Sequence, residues 1–205
     1  KLSFSKTVTF NLDEYIGLEP NHNQSYRQYM KKKLFDHIDI DQNKTFIPEC
    51  FDNNFDLACS HYENEIKNHG GIGLQLLGIG SNGHIGFNEP TSSLQSRTRV
   101  KTLTKNTLSK NARFFESHEN QPSLAITMGI GTIMEAKNIL LLGLGKHKSK
   151  AVADVIEGPL SAYCPGSVLQ NHQNATIVLD HHAASGLKLY DYYIQTEKMK
   201  SKYNC

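Results

Sequence analysis

The sequence lacks a strong excess of charge of either sign and lacks long hydrophobic runs. Its 205 residues include 22 basic and 20 acidic side chains, for a formal net charge of +2. A nucleic-acid or membrane surface as main partner normally requires a clear basic bias. No apolar run approaches the roughly 20 residues of a membrane span. We therefore expect a globular protein with a sizeable core that binds neither nucleic acid nor membrane.

Paired cysteine motifs are also absent. None of the four cysteines forms a CxxC motif, and they stand at Cys50, Cys59, Cys164 and Cys205. Disulfide frameworks are typical of small secreted chains, so this pattern predicts reduced thiols and a cytoplasmic protein.

A starting methionine is missing too. The chain begins at Lys1, and strand-like residues follow from Thr7. A fold normally offers some lead-in before its first strand, so we expect residues to be missing at this end. The prediction is a single domain over residues 1–205 that is incomplete at its amino terminus.

Short apolar runs alternate with longer amphipathic stretches along the chain. The predicted strands are Thr7–Leu12, Gly73–Ile79, Arg99–Leu103, Leu124–Met128, Ile139–Leu144 and Ala175–Leu179. The predicted helices are Ser25–His37, Phe55–Asn68, Lys105–Glu116, Ile130–Ala136, Lys148–Glu157 and Ala183–Glu197. Several strands are apolar on consecutive positions, as expected for strands buried on both faces. The alternation predicts an α/β fold with a doubly wound, mostly parallel sheet.

The most informative segment follows the predicted strand Gly73–Ile79 and reads GSNGHIGFNEP over residues 80–90. Its glycines suit tight turns, and polar side chains at the carboxyl edge of a parallel sheet face the usual ligand crevice. His84 is a candidate catalytic residue, and Glu89 can accept a hydrogen bond from its imidazole. Asn82 offers a donor and an acceptor but does not titrate.

This segment has two alternative interpretations, a dinucleotide site and a metal site. Gly78, Gly80 and Gly83 satisfy GxGxxG, but Pro90 blocks the helix that a dinucleotide site requires, and arginines and a lysine stand where its acid should be. Histidine and glutamate also bind metals. The remaining histidines show neither HExxH nor zinc-ligand spacing, so we expect no metal and no nucleotide cofactor.

A second candidate lies in TVTFNLDEYIG, residues 7–17, where a strand runs into Asp13 and Glu14. A carboxylate in a partly dry crevice can have its pKa raised towards neutral pH and act as a general base. A solvated turn is the alternative, and nothing local decides between the two.

Basic residues form a third set. Arg97, Arg99 and Lys101 alternate along a strand-like run, so that at least two of them project from one side. Arg113 lies on the next predicted helix, and Lys148 follows the glycine turn of GLGKHKSK. Helix amino ends attract phosphate, and a lysine adds a point charge. Surface solubility is the alternative for each residue. In a nearly neutral chain, clusters at strand ends favour a small anion over a polyanion.

Three segments closely resemble the glucosamine-6-phosphate deaminases, also called glucosamine-6-phosphate isomerases. They are TFNLDEYIGL (residues 9–18), LGIGSNGHIGFNEPTSSLQSRTR (77–99) and NARFF (111–115). The sister 6-phosphogluconolactonases share a glycine loop with Gly-His, but they lack the continuation FNEP and the run FNLDEY.

The resemblance implies a modified Rossmann-type fold that converts glucosamine 6-phosphate and water to fructose 6-phosphate and ammonia without a cofactor. It implies that His84 opens the sugar ring by proton transfer and that Glu89 holds and tunes this histidine. Asp13 would move a proton between C2 and C1. Arg113 and Lys148 match positions that hold the sugar phosphate.

Asn82 is counted with the catalytic residues, although the best-known form of the motif carries aspartate at this position. An asparagine can orient His84 but cannot raise its basicity by charge.

The resemblance also bears on assembly and regulation. Some family members are hexamers activated by N-acetylglucosamine 6-phosphate, which implies a homo-oligomer here. Ser92, Arg99, Lys101 and Thr102 match the effector site, whereas Tyr190–Ile194 does not align cleanly with the tyrosine that contributes to it.

The resemblance further implies one βα segment before residue 1, with a phosphate-binding loop. A 6-phosphogluconolactonase, another sugar-phosphate isomerase, or a non-catalytic sugar-phosphate-binding module lacking that loop are the remaining alternatives.

Overall fold

The computed structural model describes residues 2–49, 54–103, 108–109, 115 and 121–203. These residues cluster into two units, one formed by residues 1–73 and 95–136 and the other by residues 74–94 and 137–205. In chain order the strands are β1 (Thr9–Phe10), β2 (Asp13–Tyr15), β3 (Thr45–Phe46), β4 (Gln75–Gly78), β5 (Arg99–Thr102), β6 (Leu124–Thr127), β7 (Ile139–Gly143) and β8 (Ala175–Leu179). The α-helices are α1 (Tyr26–Lys33), α2 (Phe55–Asn68), α3 (Ile130–Met134), α4 (Ser149–Ile156), α5 (His181–Ala184) and α6 (Tyr190–Tyr203).

The first unit contains two small sheets. β1 pairs in parallel with β3, and β6 lies between β2 and β5, antiparallel to both. β6 is the core of this unit, because Ala125, Ile126 and Thr127 are fully buried. Helix α2 buries Tyr62 and Ile66. The short strand β2 is therefore held at the edge of a well-packed sheet.

The second unit is built on the parallel sheet β4–β7–β8. Alternate residues of β4 and β7, among them Leu77, Ile139 and Leu141, are buried on one face. On the other face the side chains of Leu76 and Val178 are 54% and 48% exposed. The glycine loop leaves the carboxyl end of β4, as the sequence predicts.

All six predicted strands are present, five of them shorter by one to four residues and Ala175–Leu179 with the same bounds. The antiparallel sheet β2–β6–β5 was not anticipated, and neither were β2 and β3. Among the described residues, no helix is long and apolar enough to cross a membrane.

The helix Phe55–Asn68 is confirmed residue for residue, but the predicted helix Ala183–Glu197 is wrong. The chain forms α5, breaks at residues 185–189 and resumes as α6. A Cβ on Gly186 would lie 2.7 Å from the carbonyl oxygen of Ser149, so the chain passes too close to that backbone for a regular side chain. The predicted helix Lys105–Glu116 lies outside the described residues except at 108, 109 and 115.

Candidate active site

The glycine loop after β4 folds back on itself through two backbone hydrogen bonds. Gly83 N–H donates to the Gly80 carbonyl at 3.1 Å, and Gly80 N–H donates to the His84 carbonyl at 2.9 Å. Gly83 has a φ of +81°, which favours glycine. The His84 ring lies directly over Gly80, where an added Cβ would come within 2.3–2.4 Å of three ring atoms. Gly80 is therefore what allows the imidazole to occupy this place.

His84, Glu89 and Asn82 come together around one carboxylate oxygen. Glu89 Oε2 lies 3.4 Å from His84 Nδ1 and accepts a 2.7 Å hydrogen bond from Asn82 Nδ2. The distance to the imidazole is long for a hydrogen bond, and no closer polar partner of Nδ1 is found in the described part of the chain. The contact is thus a charge contact that strengthens when the imidazole is protonated.

Asn82 acts on the loop in two ways. Its Oδ1 accepts from the backbone N–H of His84 at 3.3 Å, while its amide holds Glu89. Asn82 thus hydrogen-bonds the Glu89 carboxylate and the backbone of His84.

The segment is anchored from the buried side by residues that the sequence argument did not single out. Ile85 and Asn88 are fully buried, and Asn88 Nδ2 donates to the Ile85 carbonyl at 3.0 Å. Gly166 N–H donates to the Gly83 carbonyl at 2.8 Å, and Cys164 Sγ lies 2.5 Å from the position that a Cβ on Gly83 would take. Only tertiary contacts reveal this support, since nothing in the local sequence around Cys164 indicates it.

In the first unit, Asp13 opens β2 and pairs with Thr127 of β6. Burial, together with the negative charge of Glu14, raises the pKa of the Asp13 carboxyl from 3.8 to about 7. Asp13 in turn adds to the effect of burial in raising the pKa values of Tyr26 and Tyr62. The sequence left a general base and a solvated turn as alternatives for Asp13, and its burial and raised pKa favour the general base.

Glu14 follows Asp13 on β2, so the pleat of the strand directs the two side chains to opposite faces. Glu14 also makes different contacts. Its carboxylate accepts backbone N–H groups from Tyr15 at 2.8 Å, Tyr26 at 3.0 Å and Arg27 at 2.9 Å. Tyr26 and Arg27 are the first two residues of α1, so Glu14 satisfies N–H groups that the helix itself leaves without partners. The paired carboxylates of the sequence thus have different roles.

The basic residues are placed differently from one another. Arg97 forms ion pairs with Glu63 and Glu135, so its charge is neutralised within the unit. Arg99 and Lys101 both lie on β5, two residues apart and therefore on one face. The burial of Arg99 lowers the pKa of its guanidinium.

A cavity of about 1130 Å³ lies in the first unit between α2 and the segment around β5. Arg97, Arg99, Lys67, Glu63 and Glu135 line it with charges of both signs.

The predicted effector residues are divided between the units. Arg99, Lys101 and Thr102 belong to β5 of the first unit, and of these only Arg99 is among the lining residues of that cavity. Ser92 belongs to the second unit, where its side chain is buried.

Lys148 ends a short 3₁₀-helix, Lys146–Lys148, and immediately precedes α4. The preceding turn is fixed by Gly145, whose φ is +86° and whose N–H donates to both carboxylate oxygens of Asp180. Bonds from the Ala183 and Gly145 N–H groups lower the pKa of Asp180. Lys148 therefore stands at a helix amino end on a well-defined turn, as predicted, while Arg113 lies outside the described residues.

Among the residues that the structure describes, no group of three histidine, cysteine or acidic side chains is arranged to hold a metal ion. Cys59 and Cys164 are free thiols, and burial, as the largest cause, raises the pKa of Cys164.

Comparison with known proteins assigns the family. The profile of the family described as glucosamine-6-phosphate isomerases/6-phosphogluconolactonase matches residues 1–178. Among curated proteins, a glucosamine-6-phosphate deaminase of Shewanella halifaxensis is 57% identical over 202 residues, covering 98% of this chain and 77% of its own length. That of Colwellia psychrerythraea is 54% identical over 205 residues, covering 100% of this chain and 76% of its own length.

Solved structures agree. A monomeric glucosamine-6-phosphate deaminase matches with a TM-score of 0.86 and 45% identity, over 90% of this chain and 77% of that one. A 6-phosphogluconolactonase from Trypanosoma cruzi matches with a TM-score of 0.66 over 86% of this chain and 70% of that one, but at 18% identity it supports the fold alone. The predicted Rossmann-like α/β fold is confirmed. The chain belongs to the glucosamine-6-phosphate isomerase/6-phosphogluconolactonase family.

Proposed function

We propose that this protein is a glucosamine-6-phosphate deaminase, which converts glucosamine 6-phosphate and water to fructose 6-phosphate and ammonia. The observation that carries the proposal is the His84–Glu89–Asn82 cluster, in a chain that is 54–57% identical to curated deaminases over nearly its whole length. The lactonase alternative has matches at only 17–20% identity among the solved structures compared here.

His84 is the proposed group for ring opening. Opening a pyranose requires a proton to leave the anomeric hydroxyl and another to reach the ring oxygen, and an imidazole can perform both transfers. Glu89, 3.4 Å from Nδ1, stabilises the imidazolium formed between them. Asn82 keeps Glu89 in place by its 2.7 Å hydrogen bond.

Asp13 is the proposed group for isomerisation. The proton at C2 must be removed and a proton must be delivered to C1, so the same carboxyl acts first as a base and then as an acid. A pKa of about 7 populates both forms near neutral pH, which is the condition that this double role requires. Hydrolysis of the resulting imine then releases ammonia, and no step needs a cofactor.

Lys148 and Arg113 are the proposed phosphate ligands. Lys148 supports this role by its position next to the amino end of α4, where backbone N–H groups favour an anion. Arg113 is assigned by its match to the family alone.

We further propose a cytoplasmic location and N-acetylglucosamine 6-phosphate as an effector acting through Ser92, Arg99, Lys101 and Thr102. Assembly as a homo-oligomer is proposed from the resemblance, although one solved deaminase 45% identical to this chain is monomeric. Light scattering with and without the effector tests assembly. Substrate saturation measured under the same two conditions tests activation.

Substrate comparison tests the proposed reaction. The purified protein is supplied with glucosamine 6-phosphate or with 6-phosphogluconolactone, and ammonia and acid release are measured. We expect ammonia from the first substrate, no hydrolysis of the second above its spontaneous rate, and no ammonia with His84→Ala. His181→Ala is the matched control, because His181 is exposed and hydrogen-bonds Tyr190. Enzymatic hydrolysis of the lactone without ammonia release would contradict the proposed deaminase activity and indicate a lactonase.

A further inference from the structure

Glu14 is a buried carboxylate to which the proposed mechanism gives no role. Only 7% of its surface is exposed, and both of its oxygens are occupied by backbone N–H groups. Oε1 receives Tyr15 and Tyr26, and Oε2 receives Arg27. Because these bonds join β2 to the first turn of α1, the position of β2 depends on Glu14.

The remaining N–H groups of that helix turn are already satisfied. Ser25 Oγ accepts from Gln28 N–H at 3.1 Å, and the Ser25 carbonyl accepts from Tyr29 N–H at 3.0 Å. Glu14 therefore completes the amino end of α1, and its negative charge is held there by the N–H groups and by the helix dipole. The same charge lies one residue from Asp13 along β2.

Among the described residues, the titratable groups that couple electrostatically to Asp13 include Glu14, Tyr15, Tyr26 and Tyr62. Burial raises the pKa of each of the three tyrosines, which are therefore neutral across the range in which Asp13 titrates. The negative charge of Glu14 opposes ionisation of Asp13 and, after burial, is the second cause of its raised pKa.

We propose that Glu14 is a positioning residue for Asp13, which ties β2 to the amino end of α1 and holds a negative charge on the residue adjacent to Asp13. The proposal rests on the proposed role of Asp13 in proton transfer. Burial is the main cause of the raised pKa of Asp13, and Glu14 would add to it, so that the carboxyl stays protonated long enough to return its proton to the substrate.

The test separates charge from packing. Glu14→Gln keeps an acceptor oxygen for the helix but removes the charge, and Glu14→Asp keeps the charge on a shorter side chain. Glu19→Gln is the matched control, since Glu19 is exposed and stands in the same connection to α1.

The titration of Asp13 is followed by carbon-13 NMR of labelled aspartate, with the signal assigned by its loss in Asp13→Asn. The pH profile of kcat/KM is measured in parallel.

We expect the Asp13 titration to move down by about one pH unit in Glu14→Gln, as for removal of one charge at short range. The matching limb of the activity profile should move with it. Glu14→Asp and Glu19→Gln should titrate like the wild type, the former with a lower melting temperature. An unchanged Asp13 titration in Glu14→Gln, or equal displacement by Gln and Asp, would overturn the proposal.

If Glu14→Gln does not fold, Glu14→Asn is compared with Glu14→Asp, because these two variants have nearly the same shape and differ in charge. A lower Asp13 titration in Glu14→Asn than in Glu14→Asp supports the role of the charge, and equal titrations contradict it. The NMR titration requires no turnover. A wild type that releases no ammonia would therefore refute the proposed function, but the effect of Glu14 on the titration of Asp13 could still be measured.

Discussion

Replacing Asp13 with asparagine should stabilise the folded protein at alkaline pH. Burial, and then the charge of Glu14, raise the pKa of the Asp13 carboxyl from 3.8 to about 7. At a pH above about 4, ionising this group therefore costs free energy in the folded chain but not in the unfolded chain. Asparagine has nearly the same shape and never ionises, so the substitution removes this cost.

The size and sign follow from linkage. A rise from 3.8 to about 7, at about 1.4 kcal/mol per pKa unit, corresponds to roughly 4 kcal/mol. Asp13 retains some solvent contact and its surroundings relax, so we expect about half of this, ~2 kcal/mol. The unfolded carboxyl ionises above about pH 4 and the folded one above about pH 7, so this residue's contribution to stability falls between these values and is constant beyond them.

Urea unfolding followed by circular dichroism measures the effect for wild type, Asp13→Asn and the control Asp191→Asn, whose carboxylate is exposed. The gain from Asp13→Asn should be larger at about pH 8 than at about pH 5, by ~1–2 kcal/mol. An equal difference between Asp13→Asn and wild type at both pH values would refute the reasoning, because a change in packing alone does not depend on pH.

Two further predictions concern the glycine loop. Asn82→Asp places a second carboxyl 2.7 Å from Glu89 Oε2, so the two carboxyls will share a proton to higher pH. We expect kcat to stay within about tenfold of the wild type while its pH profile shifts. A loss of kcat as large as that of His84→Ala would contradict this prediction. Gly80→Ala forces the His84 ring aside and should lower kcat, measured by ammonia release, by about 100-fold. The control Gly78→Ala should remain active, because its added Cβ meets nothing within 4 Å. Equal losses of kcat in both variants would contradict the steric explanation.

The parts of the fold that were predictable are those with strong local signals. Ala175–Leu179 is apolar at four of its five positions, and Phe55–Asn68 has helical periodicity with Asn54 as its amino-terminal cap. The predicted helix Ala183–Glu197 is interrupted at residues 185–189, where Gly186 lies close to the backbone of Ser149 in a tertiary contact that the sequence does not reveal. β2 was missed because two adjacent carboxylates resemble a solvated turn.

In the candidate site, too, local signals were predictable from the sequence and tertiary contacts were not. The chemistry of His84, Glu89 and Asp13 follows from residue type and from the position of each after a predicted strand. The separate role of Glu14 does not, because it depends on N–H groups of a helix that begins 12 residues later along the chain. The support of the loop by Cys164 and Gly166 comes from still farther along the chain.

The most direct test of the account is turnover of glucosamine 6-phosphate by wild type, Asp13→Asn and Asp191→Asn. Ammonia and fructose 6-phosphate are quantified together in each reaction by an enzymatic assay and by NMR. We expect equimolar ammonia and fructose 6-phosphate from wild type and from Asp191→Asn, and neither product from folded Asp13→Asn. No ammonia from the wild type, or turnover by Asp13→Asn at the wild-type rate, would contradict it.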